Sequence, residues 1–338
     1  MTTQRESVPV RRISIPGQQD HHGSPFPLVY HNAAADITCD AAAQWVAEHR
    51  QELEQQAHEH GTVLFRGFPL HSAEDFDVFL SAFGFENFPY SESLSNAIRI
   101  NYTPRVFSAN EAPADVNIYL HHEMAQTPIF PGKLFFFCLQ PATAGGQTPL
   151  CRSDVLFEQI QRELPQFAAN CEALGLLYSN VMPSEDDLAS GMGRSWQSTF
   201  AARDRDAAEQ RLSALNYSWQ WLDDGCLRAT TPLLGAVREV SPGRKTFFNQ
   251  LIAAFCGWKD RRNDPAKAVS WGDGSPIDRG DMQRVAELAE QLTLDVPWQA
   301  GDVALLDNFI VMHGRRTFSG TRKILASLAD VQTHAAAV

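Results

Sequence analysis

The chain has 338 residues, 44% of them hydrophobic, which suits one large domain with a substantial core. Its formal charge of −12 and pI of about 5.3 argue against phosphate backbones and anionic membranes as partners. No apolar run is long enough to cross a bilayer, and the polar N-terminus lacks a secretory h-region, so a cytoplasmic protein is expected. The six cysteines, at 39, 138, 151, 171, 226 and 256, form no CxxC pair and read as reduced thiols.

Residues 1–30 read as a flexible, charged tail, and its "DHHGSP" at 20–25 as part of that tail rather than a metal site. Apolar spacing predicts a helix over 39–61, stopped by Gly61, with His49, His58 and His60 solvated. "TVLFRGFPL" follows as a β-branched and aromatic strand. Residues 72–84 read as a short helix capped by Ser72 and ended by Gly84. Residues 133–151 give a strand, a Gly-rich turn and a second strand, and a helix follows with Ser153 as its N-cap. The stretch 182–215 is polar and helix-prone, and its length and "ASGMGRS" composition suggest a lid. A second polar excursion covers 257–276, and 278–298 reads as a helix leading to a turn. Residues 301–330 make two strands joined by a basic turn. The pattern predicts a single β-rich domain over 31–332, of sandwich or barrel type, with helical inserts near 182–215 and 257–298.

"IYLHHEMAQTP" at 118–128 sets two histidines and a glutamate in an apolar, strand-like run. In a strand, residues i and i+2 share a face, so His121 and Glu123 converge while His122 points the other way. Two histidines and one carboxylate form the facial ligand set of non-haem Fe(II) oxygenases. Downstream, only His313 and His334 could complete it. His334 lies in an Ala-rich tail expected to be disordered, whereas His313 ends the apolar run "VALLDNFIVMH". Taken alone, His313 reads as a satisfied core histidine, the usual case on an apolar strand, but it is the only good partner for the earlier pair. "TRKIL" then places Arg322 at the mouth of a buried strand, where its planar fork suits a carboxylate better than the neighbouring Lys323 does. Thr148, after the "GGQ" turn, reads alone as simple strand propensity.

Together, "GTVLFRGF" (61–68), "LHHEMAQTP" (120–128), "GGQTP" (145–149), "GDVALLDNFIVMHGRR" (301–316) and "TRKILASL" (321–328) resemble the taurine dioxygenase-like (TauD/TfdA) family of Fe(II)/2-oxoglutarate oxygenases. The nearest likeness is to its "HHEMAQTP" branch of plant proteins and syringomycin-biosynthesis-type amino-acid hydroxylases. The resemblance implies a double-stranded β-helix (jelly roll), mainly β with helical insertions. It implies Fe(II) on His121, Glu123 and His313, with O2 and 2-oxoglutarate as cosubstrates. Arg322 and Thr148 would hold the distal carboxylate of 2-oxoglutarate, and Asn117 would meet substrate. The place of taurine dioxygenase's sulfonate-binding arginine is taken here by Ala326, which argues against taurine. Glu123 occupies the ligand position that related halogenases leave to a small residue, so hydroxylation, or less often desaturation or ring formation, is implied.

Two other classes fit parts of the pattern. A non-catalytic jelly-roll metal-binding or regulatory protein would need the triad alone. A zinc hydrolase could also use His₂Glu, but would have no use for the remote Arg322. The resemblance suggests a small acid as substrate, an amino acid either free or carried on a partner protein. Arg66, Arg105, Arg152, Arg194, Lys245 and Arg315 are each candidate contacts for an acidic group.

Overall fold

The computed structural model describes residues 8–334 apart from 35, 96, 98, 188, 189, 191, 259 and 260. Seven strands form the larger sheet, in the order Val10–Arg12, Leu28–Asn32, Thr62–Arg66, Val303–Asp307, Ile129–Gln140, Lys323–Thr333 and Phe107–Ser108. Its neighbours run antiparallel except Leu28–Asn32 against Thr62–Arg66, which are parallel. Four antiparallel strands form the smaller sheet, in the order Thr293–Val296, Thr148–Arg152, Val311–Arg315 and Ile118–His121.

Leu64, Phe136, Ala304 and Leu328 of the larger sheet share one buried cluster with Leu150, Leu294 and Val311 of the smaller. This double-stranded β-helix has both of its outer faces covered as well. Val63, Phe65, Phe137 and Leu305 pack outward against Val46 and Leu53 of the helix Cys39–His60 and Phe76 and Phe79 of Ala73–Ser81. Burial on both faces explains why "TVLFR" and "KLFFFC" are unbroken apolar runs rather than alternating ones. Each such Phe contributes about 1.5–3 kcal/mol by leaving water. Behind the smaller sheet, Leu120, Cys151 and Met312 pack on the helices Ser153–Glu163, Leu251–Gly257 and Arg279–Gln291.

Several expectations change. Of the stretch expected to be a flexible tail, residues 1–7 lie outside the described residues, and the part from residue 8 on contributes two strands to the larger sheet and the hairpin Gln19–Phe26, because Phe26, Leu28, Val29 and Tyr30 are buried behind a polar lead. His22 of "DHHGSP" lies 3.2 Å from Glu158 on the surface. His60 is buried, with Nδ1 2.9 Å from the Pro25 carbonyl. Ser72 caps its helix by accepting from Asp75 N (3.1 Å). Ser153 is not a cap but the first helical residue, its hydroxyl donating to the Ile310 carbonyl. His334 is packed against Phe130 and Phe248 (ring centroids 4.8 and 5.8 Å) rather than disordered.

Residues 182–215 hold the helices Trp196–Phe200 and Arg205–Ala214, and 257–298 holds Pro265–Ala268 and Arg279–Gln291. A further sheet, in the order Ser218–Trp221, Leu227–Thr230, Leu176–Met182 and Val269–Trp271, was not read from the sequence.

Candidate active site

Ile118–His121 pairs with Val311–Arg315 so that His121 stands directly opposite His313, with ring centroids 4.4 Å apart. The pairing is close. A Cβ on Gly314 would run into the Ile118 carbonyl, so only glycine lets the two strands meet there. The strand ends at His121, so Glu123 does not reach the site by strand alternation. A turn follows in which Met124 adopts a φ of +58°, a conformation uncommon for a residue with a side chain. Asn308 holds that turn. Its Oδ1 accepts from Glu123 N (2.9 Å), and its Nδ2 donates to the carbonyls of Glu123 (3.0 Å) and Pro131 (2.7 Å).

The turn swings the Glu123 carboxylate back between the histidines. Oε2 lies 3.4 Å from His313 Nε2 and 4.0 Å from His121 Nε2, and one ligand atom from each residue lies within 4.8 Å of the other two. His121 Nδ1 donates to the Tyr119 carbonyl (2.8 Å), leaving the Nε2 lone pair facing the centre. Burial and the neighbouring His313 hold the His121 pKa down to about 4. Burial opposes ionisation of Glu123, but Arg99 and the two histidines outweigh it and hold the carboxyl far below the usual range. Both groups therefore offer lone pairs with no proton to displace, and the donor set fits a divalent cation of mixed nitrogen and oxygen preference. His122 is fully buried and turned away, its ring nitrogens meeting the Asn308 carbonyl and the Ser153 hydroxyl.

A cavity beside the triad is lined by Phe136, Thr148, Ile324 and Arg322, with Arg315 at its edge. Arg322 Nε donates to the Gly146 carbonyl (2.8 Å), and Nη2 reaches Thr148 Oγ1 (3.4 Å). Gly145 and Gly146 both have a φ of +70°, and a Cβ on Gly146 would sit 3.0 Å from Arg322 Cδ. The "GG" turn is thus both a conformational need and a seat for the arginine. Trp298 Nε1 also donates to Thr148 Oγ1 (2.9 Å), a contact no sequence pattern announced. Burial, then the nearby Arg315, lowers the Arg322 pKa to about 10, so it is charged at neutral pH. Among the described residues no carboxylate pairs with it.

The other cations have partners of their own, including Arg315, which also lines the Arg322 cavity. Arg66 grips Asp302 through two hydrogen bonds (3.0 and 2.7 Å), Arg152 pairs with Asp154, Lys245 with Glu172, and Arg105 stands 3.9 Å from Asp77. Arg315 donates to the carbonyls of Asn110, Ala112, Pro113 and Val116. Arg194 binds the Ser93 and Ser95 carbonyls, and Arg316 pairs with Asp295 and Glu290.

A second lobe opens on the other side of the triad, lined among others by Gln126, Met192, Gln250 and Trp258. Asn117 lies in its exposed rim, with Oδ1 accepting from Thr317 N (3.1 Å). Arg99 lines both lobes. Its Nη2 is 3.0 Å from Glu123 Oε1, its side chain is 7% exposed, and it lies over the rings of Tyr90 and Phe107. Sequence reasoning missed Arg99 because it stands in an irregular segment with no periodicity to give it a face.

The family model of the taurine catabolism dioxygenase TauD, TfdA family matches residues 24–328. A clavaminate synthase-like protein of Arabidopsis thaliana is 41% identical over 93% of this chain and 96% of its own length. The dapdiamide synthesis protein DdaC of Enterobacter agglomerans is 28% identical, covering 87% of this chain and 89% of its own. Among solved structures, PvcB, an Fe, alpha-ketoglutarate dependent oxygenase from an isonitrile synthetic pathway, superposes with a TM-score of 0.52 at 15% identity. That match covers 97% of this chain and 93% of PvcB. With its jelly roll, its His₂Glu cluster and its "GGQTP" and "TRKIL" seats in family order, the chain belongs to the TauD/TfdA family of Fe(II)/2-oxoglutarate-dependent dioxygenases.

Proposed function

We propose that this enzyme hydroxylates an unactivated C–H bond of a small acid, an amino acid in free or carrier-tethered form. The overall reaction converts substrate, O2 and 2-oxoglutarate to hydroxylated product, succinate and CO2. His121, Glu123 and His313 would hold Fe(II), which supplies the redox chemistry that couples decarboxylation of the cosubstrate to oxidation of the substrate. Arg322 would take the distal carboxylate of 2-oxoglutarate in a two-pronged ion pair, and Thr148 would donate or accept alongside it. Phe136 and Ile324 give that lobe apolar walls that match the cosubstrate's methylenes.

The observation that carries this reading is Arg322. A charged guanidinium, without a carboxylate partner among the described residues, lines the same cavity as the three converged ligands. A hydrolytic or non-catalytic metal site has no use for such a group. The similarities support a role in small-molecule synthesis, since DdaC is a dapdiamide synthesis protein and PvcB serves an isonitrile pathway. Asn117, in the rim of the second lobe, is a candidate substrate contact.

Anaerobic addition of Fe(II) and then 2-oxoglutarate should produce the weak visible charge-transfer band of such oxygenases. Zinc in place of iron should give none, and aerobic enzyme with substrate should release succinate. A metal-loaded protein that gives no band and consumes no 2-oxoglutarate would instead favour a non-catalytic role.

A further inference from the structure

Two polar groups in the second lobe have no use in the reading above. Arg99 Nε and Gln126 Oε1 are both buried without a hydrogen-bond partner, one a cationic donor and the other an acceptor. Both residues line the same cavity, and both side chains are more than nine-tenths buried. A buried donor or acceptor left unsatisfied is costly, so an orphan donor and an orphan acceptor on two residues that line one cavity mark what its ligand must bring. Arg99 already pairs with Glu123 through Nη2 and has its Nε–H left to meet an acceptor, and Gln126 Oε1 is left to meet a hydrogen-bond donor. Gln126 is in the turn that delivers Glu123, and Arg99 already touches Glu123 Oε1, so both sit at the metal cluster rather than at a remote surface.

We propose that this pair receives the two charged groups of a free α-amino acid. Arg99 takes the carboxylate through Nε while its Nη2 keeps Glu123 in place, and Gln126 Oε1 accepts from the ammonium group. This rests on the hydroxylase reading and narrows it. A thioester on a carrier has no free carboxylate, so the carrier-tethered form is excluded. The rest of the lobe sets the side chain. Met192, Ala253 and Trp258 are apolar, Gln250 is neutral, and among the described residues Glu123 is the one acidic lining residue and is already engaged. A lysine- or arginine-like side chain therefore finds no counter-ion among the described residues, and an uncharged one is expected.

The test uses full-length enzyme loaded anaerobically with Fe(II) and 2-oxoglutarate. Binding of the standard L-amino acids, their carboxamides, their N-acetyl derivatives and their pantetheine thioesters is followed by calorimetry and by perturbation of the charge-transfer band. At least one free, uncharged amino acid should bind, with its carboxamide and its thioester about 30-fold weaker or more. Arg99→Lys should keep the band and part of the preference for acid over amide, whereas Arg99→Ala should abolish that preference. Gln126→Leu should abolish the preference for the free amine over its N-acetyl form and leave the acid preference intact. The proposal is overturned if thioesters bind as tightly as free acids, if Arg99→Ala keeps the acid preference, or if no free amino acid binds. Loss of the band in wild-type enzyme would overturn the hydroxylase reading itself, which is a separate outcome.

Discussion

His121 and His122 are adjacent and chemically identical, yet their surroundings assign them opposite tasks. His121 Nε2 faces Glu123 and His313, whereas both ring nitrogens of His122 are consumed inside the core. His121→Ala and His313→Ala should each abolish Fe(II) binding measured by metal analysis after desalting. His122→Ala should retain iron and instead lower stability by about 1–3 kcal/mol in chemical denaturation, because it strands buried partners. The adjacent pair Arg322 and Lys323 divides in the same way. Arg322 lines the cavity and Lys323 is exposed. Arg322→Ala should raise the 2-oxoglutarate concentration needed for half-maximal turnover by about 30-fold or more, with iron content near normal. Lys323→Ala should change it little. Residue types and order were legible here, since a histidine closing an apolar run and an arginine at a strand mouth are expensive choices. Arg99 and Gln126 were not, because an orphaned hydrogen-bonding atom exists only once the chain around it has closed.

At the scale of elements, the turn between His121 and Thr127 is where sequence reasoning reached the right grouping by the wrong route. Strand alternation predicted that His121 and Glu123 share a face, but a turn with a positive φ at Met124 and the Asn308 clamp bring them together. Asn308→Ala should therefore weaken metal affinity about 10–100-fold, the usual cost of losing an outer-shell support, although Asn308 touches no ligand side-chain atom in these bonds. Equilibrium titration with Fe(II) under anaerobic conditions measures this. The segment 182–215 is less exposed than its polar composition suggests. Trp196, Phe200 and Leu212 join the core, Met192 reaches the second lobe, and Arg194 ties the segment to Ser93 and Ser95. If it acts as a cover, 2-oxoglutarate with substrate should slow limited proteolysis within 182–215. Equal cleavage with and without ligands would mark a fixed insert.

For the whole molecule, the site is assembled from strands of both sheets, so its ligands should stabilise the fold as a unit. Saturating metal with 2-oxoglutarate at about 100 times the dissociation constant adds about 2.7 kcal/mol by mass action. Anaerobic thermal unfolding should show this as a rise in Tm that His313→Ala removes. Acid should act through His334, which packs against Phe130 and Phe248. Burial, then Arg238, holds the His334 pKa down to about 4 against an ordinary value of 6.5. The unfolded chain therefore takes up this proton first, and stability is lost as pH falls from about 6.5 to 4. His334→Phe should flatten that part of the stability profile.

The sequence alone determined what the site is made of: the apolar runs that become sheet strands, the five blocks in order, the residues of the His₂Glu cluster, and the glycine turn beside Arg322. These are local choices, readable because period, turn and cost are properties of short stretches. Tertiary structure decided the rest. It drew the N-terminal segment into the larger sheet, because a polar lead conceals four buried residues that find their partners only in distant strands. It placed Trp298 against Thr148 and Arg99 against Glu123, pairs separated by 150 and 24 residues. It also gave Arg66, Arg105, Arg152, Arg194, Lys245 and Arg315 partners of their own. Which cation is already satisfied, and which is left facing a cavity, depends on contacts between segments remote in the chain, and no period or motif carries that information.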